Sequence, residues 1–534
     1  MSIGNPGLHR LLCSNAAPNA YEAVSVQLQV DSITSQISQL RSKLAELEDQ
    51  LRLCCAVLSP VRRMPPEVLG EIFVHSLPDV LEFSAETRNH LVNIQLVCKS
   101  WRDTAQLTHK LWCVLSFDDI TDVPCREVKQ WFNRAGSNPK SLVIPATWYN
   151  FCTDQQGSAL VTLLANLDGT LDHLSLRDKG PRNFQSLLDS LRAVEEGPAS
   201  LQRRPWDALK SFTLKFDDEW DETPDTLRSI FLQLPPNITS FELHLPGKWS
   251  NAFEAEEDSE SAPLPLPKNL FERLSSLTLF CNWGGTEWLE AELGHCINVE
   301  TLTMDFMGAF WSYNRDEPNT QHLLSFGLLL PKVRTLRLQN VCPPSIDILG
   351  VLRAPQLVEL GIGFKPGNDD VDWVFSQVVL SFVERSRCEA TLRLLHLRYA
   401  FMRAEELVTT LSHLPFLTHL TLEDTVMDPK TSPANILRML TFQLPNLEAL
   451  ELLELQPDYS VYPLLDFLKS RRPYNHLENG EPVFTEPQAT FKRLKVTYRM
   501  TQKRSQCLDT SGVVAVLRRW AGVSFDIGPI LYVD

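Results

Sequence analysis

The sequence predicts an α/β chain in three parts: a long N-terminal amphipathic helix, a small helical domain, and a solenoid with a curved parallel sheet inside and helices outside. Three observations carry that expectation. Apolar residues step by alternating fours and threes from Val26 to Leu58. Two short, very apolar helical stretches follow, in "LSPVRRMPPEVLGEIFVHSLPD" and "LVCKSWRDTAQLTHKLW". From about residue 117 onward the pattern L-x-x-L-x-L returns again and again, at intervals that suit a solenoid rather than a sandwich. The boundaries fall at 1–24 (a disordered lead-in without periodicity), 25–59, 60–116 and 117–534.

The helix of 25–59 is set by its seam. Val26, Val30, Ile33, Ile37, Leu40, Leu44, Leu47, Leu51, Cys54 and Leu58 occupy a and d positions, with Ser, Gln, Arg, Lys and Glu between them and no proline from 25 to 59. Two arrangements satisfy such a stripe. One is a two-stranded coiled coil, hence a homodimer through 26–58; the other is a single helix lying back on the next domain.

In the second part, Pro65 or Pro66 can take the first helical position, where the missing N–H costs nothing, and Glu67 sits near the positive end of the helix dipole. Val68, Leu69, Ile72, Phe73, Val74 and Leu77 then cover about two-thirds of the helix circumference, more than the single stripe a surface helix needs. A second helix, with Val97, Trp101 and Ala105 four residues apart, meets one side of it. The surplus marks a binding surface, because a helical unit of roughly fifty residues buries too little alone.

In the third part, "LDHLSL", "LSSLTL", "VRTLRL", "LTHLTL" and their relatives supply short strands, and helix-like runs such as "AEELVTTLSHL" precede them. In "LLLPKVRTLRL", "LRAPQLVELGI", "SHLPFLTHLTL", "FQLPNLEALEL" and "QLPPNITSFEL" a proline stands two residues ahead of the first apolar position. Proline cannot continue the helix and biases its predecessor toward extended backbone, so the chain stops, turns and lays down a strand. Over roughly 140–510 this resembles the leucine-rich repeat family, although the Asn or Cys usual after the strand is mostly missing.

The second part resembles an F-box. The residues that carry the likeness are Met64-Pro65, Glu67, Leu69, Ile72, Phe73, Leu77-Pro78, Val97-Cys98, Trp101 and Leu111-Trp112. Met replaces the usual Leu before proline, and "EFSAETRN" at 82–89 reads as an insertion between the helices. The resemblance implies docking to the Skp-type adaptor of a cullin–RING ubiquitin ligase through Met64, Pro65, Leu69, Ile72 and Phe73, with Val97, Trp101 and Trp112 holding the helical core. The other reading of those residues is internal packing alone, in a scaffold protein that never meets the ligase.

Composition narrows the function further. The 534 residues carry a formal net charge of -16, which disfavours nucleic acid as a partner. Twelve scattered cysteines with no C-x-x-C fit a reduced cytoplasmic or nuclear setting. The most apolar run, "VFSQVVLSF", is too short to span a bilayer. No phosphate-binding loop, nucleophile elbow or zinc-protease motif occurs, so the sequence predicts no catalytic residue, no metal and no cofactor. What remains is a non-catalytic receptor for an unidentified target protein. The outward positions of the repeat strands hold Arg334, Arg337, Arg393, His396 and Arg398, followed by acidic and then basic residues. They are the candidate target-binding residues, as a charge stripe that changes sign along the sheet.

Overall fold

A computed structural model describes residues 11–13, 17–500 and 524–531, except 78–84, 117–124, 145–153, 168–170, 179, 197–205, 217–229, 246–265, 281–288, 290–292, 308–317, 367–374, 428–436, 438–439, 441–442, 456–461, 472–473, 479–480 and 485–490. The two densest acidic stretches of the sequence, "DDEWDETPD" at 217–225 and "EAEEDSES" at 254–261, lie outside the described residues. The chain divides into two compact units, one of residues 1–77 with 90–111, the other of 78–89 with 112–534.

The first unit begins with a helix over Ala20–Leu58, 39 residues without a single buried side chain. It starts earlier than the seam does, which corrects the lead-in of 1–24. Asn19 accepts from the Glu22 backbone N–H while the Glu22 carboxylate accepts from the Asn19 N–H, a reciprocal cap that closes the first turn. A 3-10 turn over Pro60–Arg63 leads to the helix Pro66–His75, with proline in its first turn as expected. Beyond the segment 78–84 come Ala85–Val97 and Lys99–Leu107. The single helix predicted through Val97 and Trp101 is therefore two, broken where Cys98 turns fully extended at φ -163°, ψ 171°. Residues 85–89, read as an insertion, open the first of them.

The second unit is a solenoid built on one 14-stranded sheet whose strands pair in chain order, all parallel. Each of the eleven L-x-x-L-x-L copies lies on a strand of this sheet. Three further strands, Val114–Ser116, Ser141–Ile144 and Ser524–Leu531, were not anticipated. Leu336, Leu360, Leu395, Leu420, Leu450 and Leu494 form one continuous row, and all are buried; the register shifts only toward the strand ends, between Ile362 and Phe364 and between Leu452 and Leu455. Helix side chains such as Phe132, Leu187, Phe382 and Leu407 belong to the same apolar cluster, so each turn of the solenoid covers the next. The prolines act as the sequence suggested. Val333, Leu357, Leu417 and Leu447 each donate a backbone hydrogen bond to the residue just before the proline, so Pro331, Pro355, Pro415 and Pro445 take the second position of a tight turn.

The helical domain boundary shifts as well. Trp112, expected in the core of the small helical domain, is buried in the second unit, where its ring meets Trp131 edge-on at 4.7 Å and carries the Arg134 guanidinium at 4.5 Å. Trp131 in turn donates to the Val114 carbonyl, tying this aromatic pair to the first strand of the sheet.

Candidate protein-interaction sites

In the first unit, the helices Pro66–His75 and Lys99–Leu107 pack against each other. Leu69 and Phe73 are each only 2% exposed, and the Phe73 ring sits 5.0 Å from Trp101. Close approach is allowed by Gly70, where a Cβ would come within 2.5 Å of the Thr108 hydroxyl oxygen. Lys110 closes the same corner with an ion pair to Glu71 at 2.9 Å.

This packing redistributes the expected roles. Leu69 and Phe73, assigned to docking, form the internal contact instead, and Val97, assigned to the core, is 59% exposed. The break at Cys98 explains the second change: Val97 ends one helix and Trp101 belongs to the next, so a spacing of four no longer places them on one face. Of the docking set, Ile72 remains 46% exposed, Pro65 is exposed and Met64 is half-buried. Val68, Val92, Leu96 and Leu107 also face outward. The unit thus keeps much apolar surface after its own core is filled, carried by a different subset of residues.

In the second unit, the face of the sheet opposite the helices is built from the outward strand positions. Arg337, Gly361, His396, Thr421, Glu451 and Lys495 form one cross-strand row. Across the strand Glu359–Phe364 both Gly361 and Gly363 fall at outward positions, so no side chain rises there and a notch of about 180 Å³ opens. Its lining includes Arg337 and Asn340 on one side and His396, Arg398, Tyr399 and Glu423 on the other. That volume is below the roughly 300–1,000 Å³ of sites that enclose a small-molecule ligand, and suits one inserted side chain of a protein.

The charges around the notch are paired across neighbouring strands. Arg337 donates to Glu359 at 2.8 and 3.0 Å; Arg398 and His396 both meet Glu423, at 2.9 and 3.0 Å. Hydrogen bonding from His396 holds the Glu423 carboxyl below its ordinary range despite burial, and Arg398 adds to this. Further along, Arg493 meets Glu451 and Lys492 meets Glu448, each at 2.7 Å. The sign-changing stripe expected from the sequence is therefore a ladder of ion pairs. Of the five predicted target-binding residues, Arg337, His396 and Arg398 line the notch. Arg334 and Arg393 do not; Arg334 is exposed ahead of its strand, and the Arg393 guanidinium lies over the Phe416 ring at 5.6 Å.

Sequence reasoning missed the floor of the notch and its rim. The alternation Glu359, Gly361, Gly363 was a usable signal, since glycine at two successive outward strand positions removes the side chains that would fill the face. Asn340, Tyr399, Asp424 and Glu454 hold left-handed backbone at equivalent places at the ends of four strands, and of these Asn340 and Tyr399 line the notch. Asp424 and Glu454 both bind Arg499 there. Burial raises the Asp424 carboxyl, partly offset by Arg499.

Among the described residues no cluster of side chains could hold a metal ion, and no helix is long and apolar enough to cross a membrane. No family model and no curated protein matches the chain. Among solved structures it is similar to the leucine-rich repeat-containing protein LegL7 from Legionella pneumophila, at 15% identity over 67% of this chain and 88% of that one, with a TM-score of 0.27. It is also similar to the complex of Rad7 and Elc1 in yeast, at 13% identity over 82% of this chain and 93% of that one, again with a TM-score of 0.27.

Proposed function

We propose that this chain is a non-catalytic, substrate-recruiting subunit of a Skp–cullin–RING ubiquitin ligase, working in the cytoplasm or nucleus. The helical unit docks the adaptor and the open face of the solenoid holds the target protein. The supporting observation is the apolar surface left on the unit that bears the F-box-like pattern, above all Val68 and Ile72, one helical turn apart. A lone unit with that much exposed oil is a binding surface or an aggregation hazard. The notch between Arg337 and Arg398 supports the target end of the reading, because single-side-chain pockets anchor protein interfaces. The chain would act by proximity: it holds a target near an enzyme that supplies the chemistry elsewhere in the assembly.

Burial of Leu69 and Phe73 favours a second reading, a scaffold whose helical pair serves only itself. One experiment divides the two. A Skp-type adaptor should co-purify with the full chain and be lost on replacing Val68 and Ile72 together by Asp, while the repeats keep their circular dichroism. No adaptor capture by the unaltered chain would leave the scaffold reading.

A further inference from the structure

The helix Ala20–Leu58 carries a long row of exposed apolar residues. Its seam residues Val30, Ile33, Ile37, Leu40, Leu44, Leu47 and Leu51 are between 45% and 67% exposed, and none of the helix's side chains is buried by the described residues. The seam runs unbroken from Val26 to Leu58, about four and a half heptads, beyond the three or four that define a coiled coil.

We propose that this helix pairs with the same helix of a second copy in a parallel, in-register, two-stranded coiled coil. Three features select that arrangement. The first is core shape: Val30 and Ile37 place β-branched residues at a in the N-terminal half, and Leu40 and Leu47 place leucine at the d positions that follow Ile37 and Leu44. That pattern favours two parallel strands. The second is charge. Lys43 falls at g and Glu48 at the following e, the two positions that meet between parallel helices, so the dimer gains a Lys43–Glu48 pair on each side. Neither residue makes an ion pair within its own chain among the described residues. The third is exclusion. Antiparallel pairing over the full seam joins g to g and e to e, which sets Lys43 against Lys43 and Arg41 against Arg41.

Parallel register also stacks Cys54, at d, on Cys54 of the partner copy, whereas Cys55, at e, points aside. Both are exposed free thiols in the single chain. Antiparallel pairing would instead set Cys54 beside Val30.

The full chain should sediment as a dimer, and Ile37→Asp with Leu40→Asp should make it a monomer with the solenoid intact. Diamide, which takes the two thiol hydrogens as the disulfide forms, should cross-link the dimer through Cys54. The cross-link should vanish in Cys54→Ser and persist in Cys55→Ser. Lys43→Glu should raise the dissociation constant about tenfold or less, and Lys43→Glu with Glu48→Lys should restore it. A monomeric full chain at micromolar concentration overturns the proposal. A dimer that cross-links in Cys54→Ser but not in Cys55→Ser, or one unaffected by Lys43→Glu, overturns the parallel register. None of these readouts involves the adaptor, so they stand or fall apart from the ligase reading.

Discussion

The two units meet the same problem, where to put apolar side chains, in opposite ways. In the solenoid, strand leucines and helix side chains belong to one apolar cluster, so burial is shared along the chain from Leu115 to Tyr498. In the first unit, Phe73, Leu69 and Trp101 close a small contact, and residues on both sides of it stay wet. A repeated element supplies its own partner; a single-copy helical pair does not. The contrast separates structural oil from oil that is available for binding.

The largest effects should come from breaking each core. Phe212 is fully buried, stacked near Phe184 and Phe241 and edge-on to Trp206. Phe212→Ala should cost about 3–5 kcal/mol in the solenoid's unfolding transition. Phe73→Ala should cost a similar amount in the helical unit while leaving the solenoid's transition in place. Calorimetry resolves the two; a single shared transition shifted by both variants would erase the division between units.

A smaller effect should appear in acid. Burial opposes ionisation of Glu242, but its hydrogen bond from His244 at 2.6 Å and the nearby Lys215 outweigh burial and bring its carboxyl down to about 2. A carboxyl depressed in the folded state stabilises above its unfolded value near 4.5, and that contribution fades as pH falls toward 2. Glu242→Gln should therefore be less stable than the unaltered chain at pH 6 in denaturant titrations, with the gap closing between pH 4.5 and 2. A gap that stays constant through that range would show the pairing contributes nothing. The helical unit, whose main ion pair is the exposed Lys110–Glu71, should show little of this dependence.

Legibility followed the same divide. Repetition made the solenoid readable, because eleven imperfect copies outvote the irregularities of each one. Ser141–Ile144 escaped because its stretch lacks the first Leu of the pattern, and the early helix start escaped because the Asn19–Glu22 cap was overlooked. In the helical unit the sequence placed Leu69 and Phe73 on the outside and Val97 inside, and the burial is the reverse. Nothing local in "LVCKSW" announces that Cys98 goes extended, and with one copy of the motif there was no second instance to correct the phase. The notch was hidden differently: its content is what Gly361 and Gly363 lack. The left-handed Asn340 and Asp424 are residue types known for that backbone, whereas Tyr399 and Glu454 are not.

The central claim is that the helical unit's outward oil is a docking surface. Amide hydrogen exchange on the full chain, with and without a purified Skp-type adaptor, tests it most directly. The account predicts that the adaptor slows exchange in Pro66–His75 and Lys99–Leu107 and leaves the sheet strands untouched. Exchange in those two helices that is identical with and without adaptor, at concentrations where the adaptor binds known F-box chains, would contradict it.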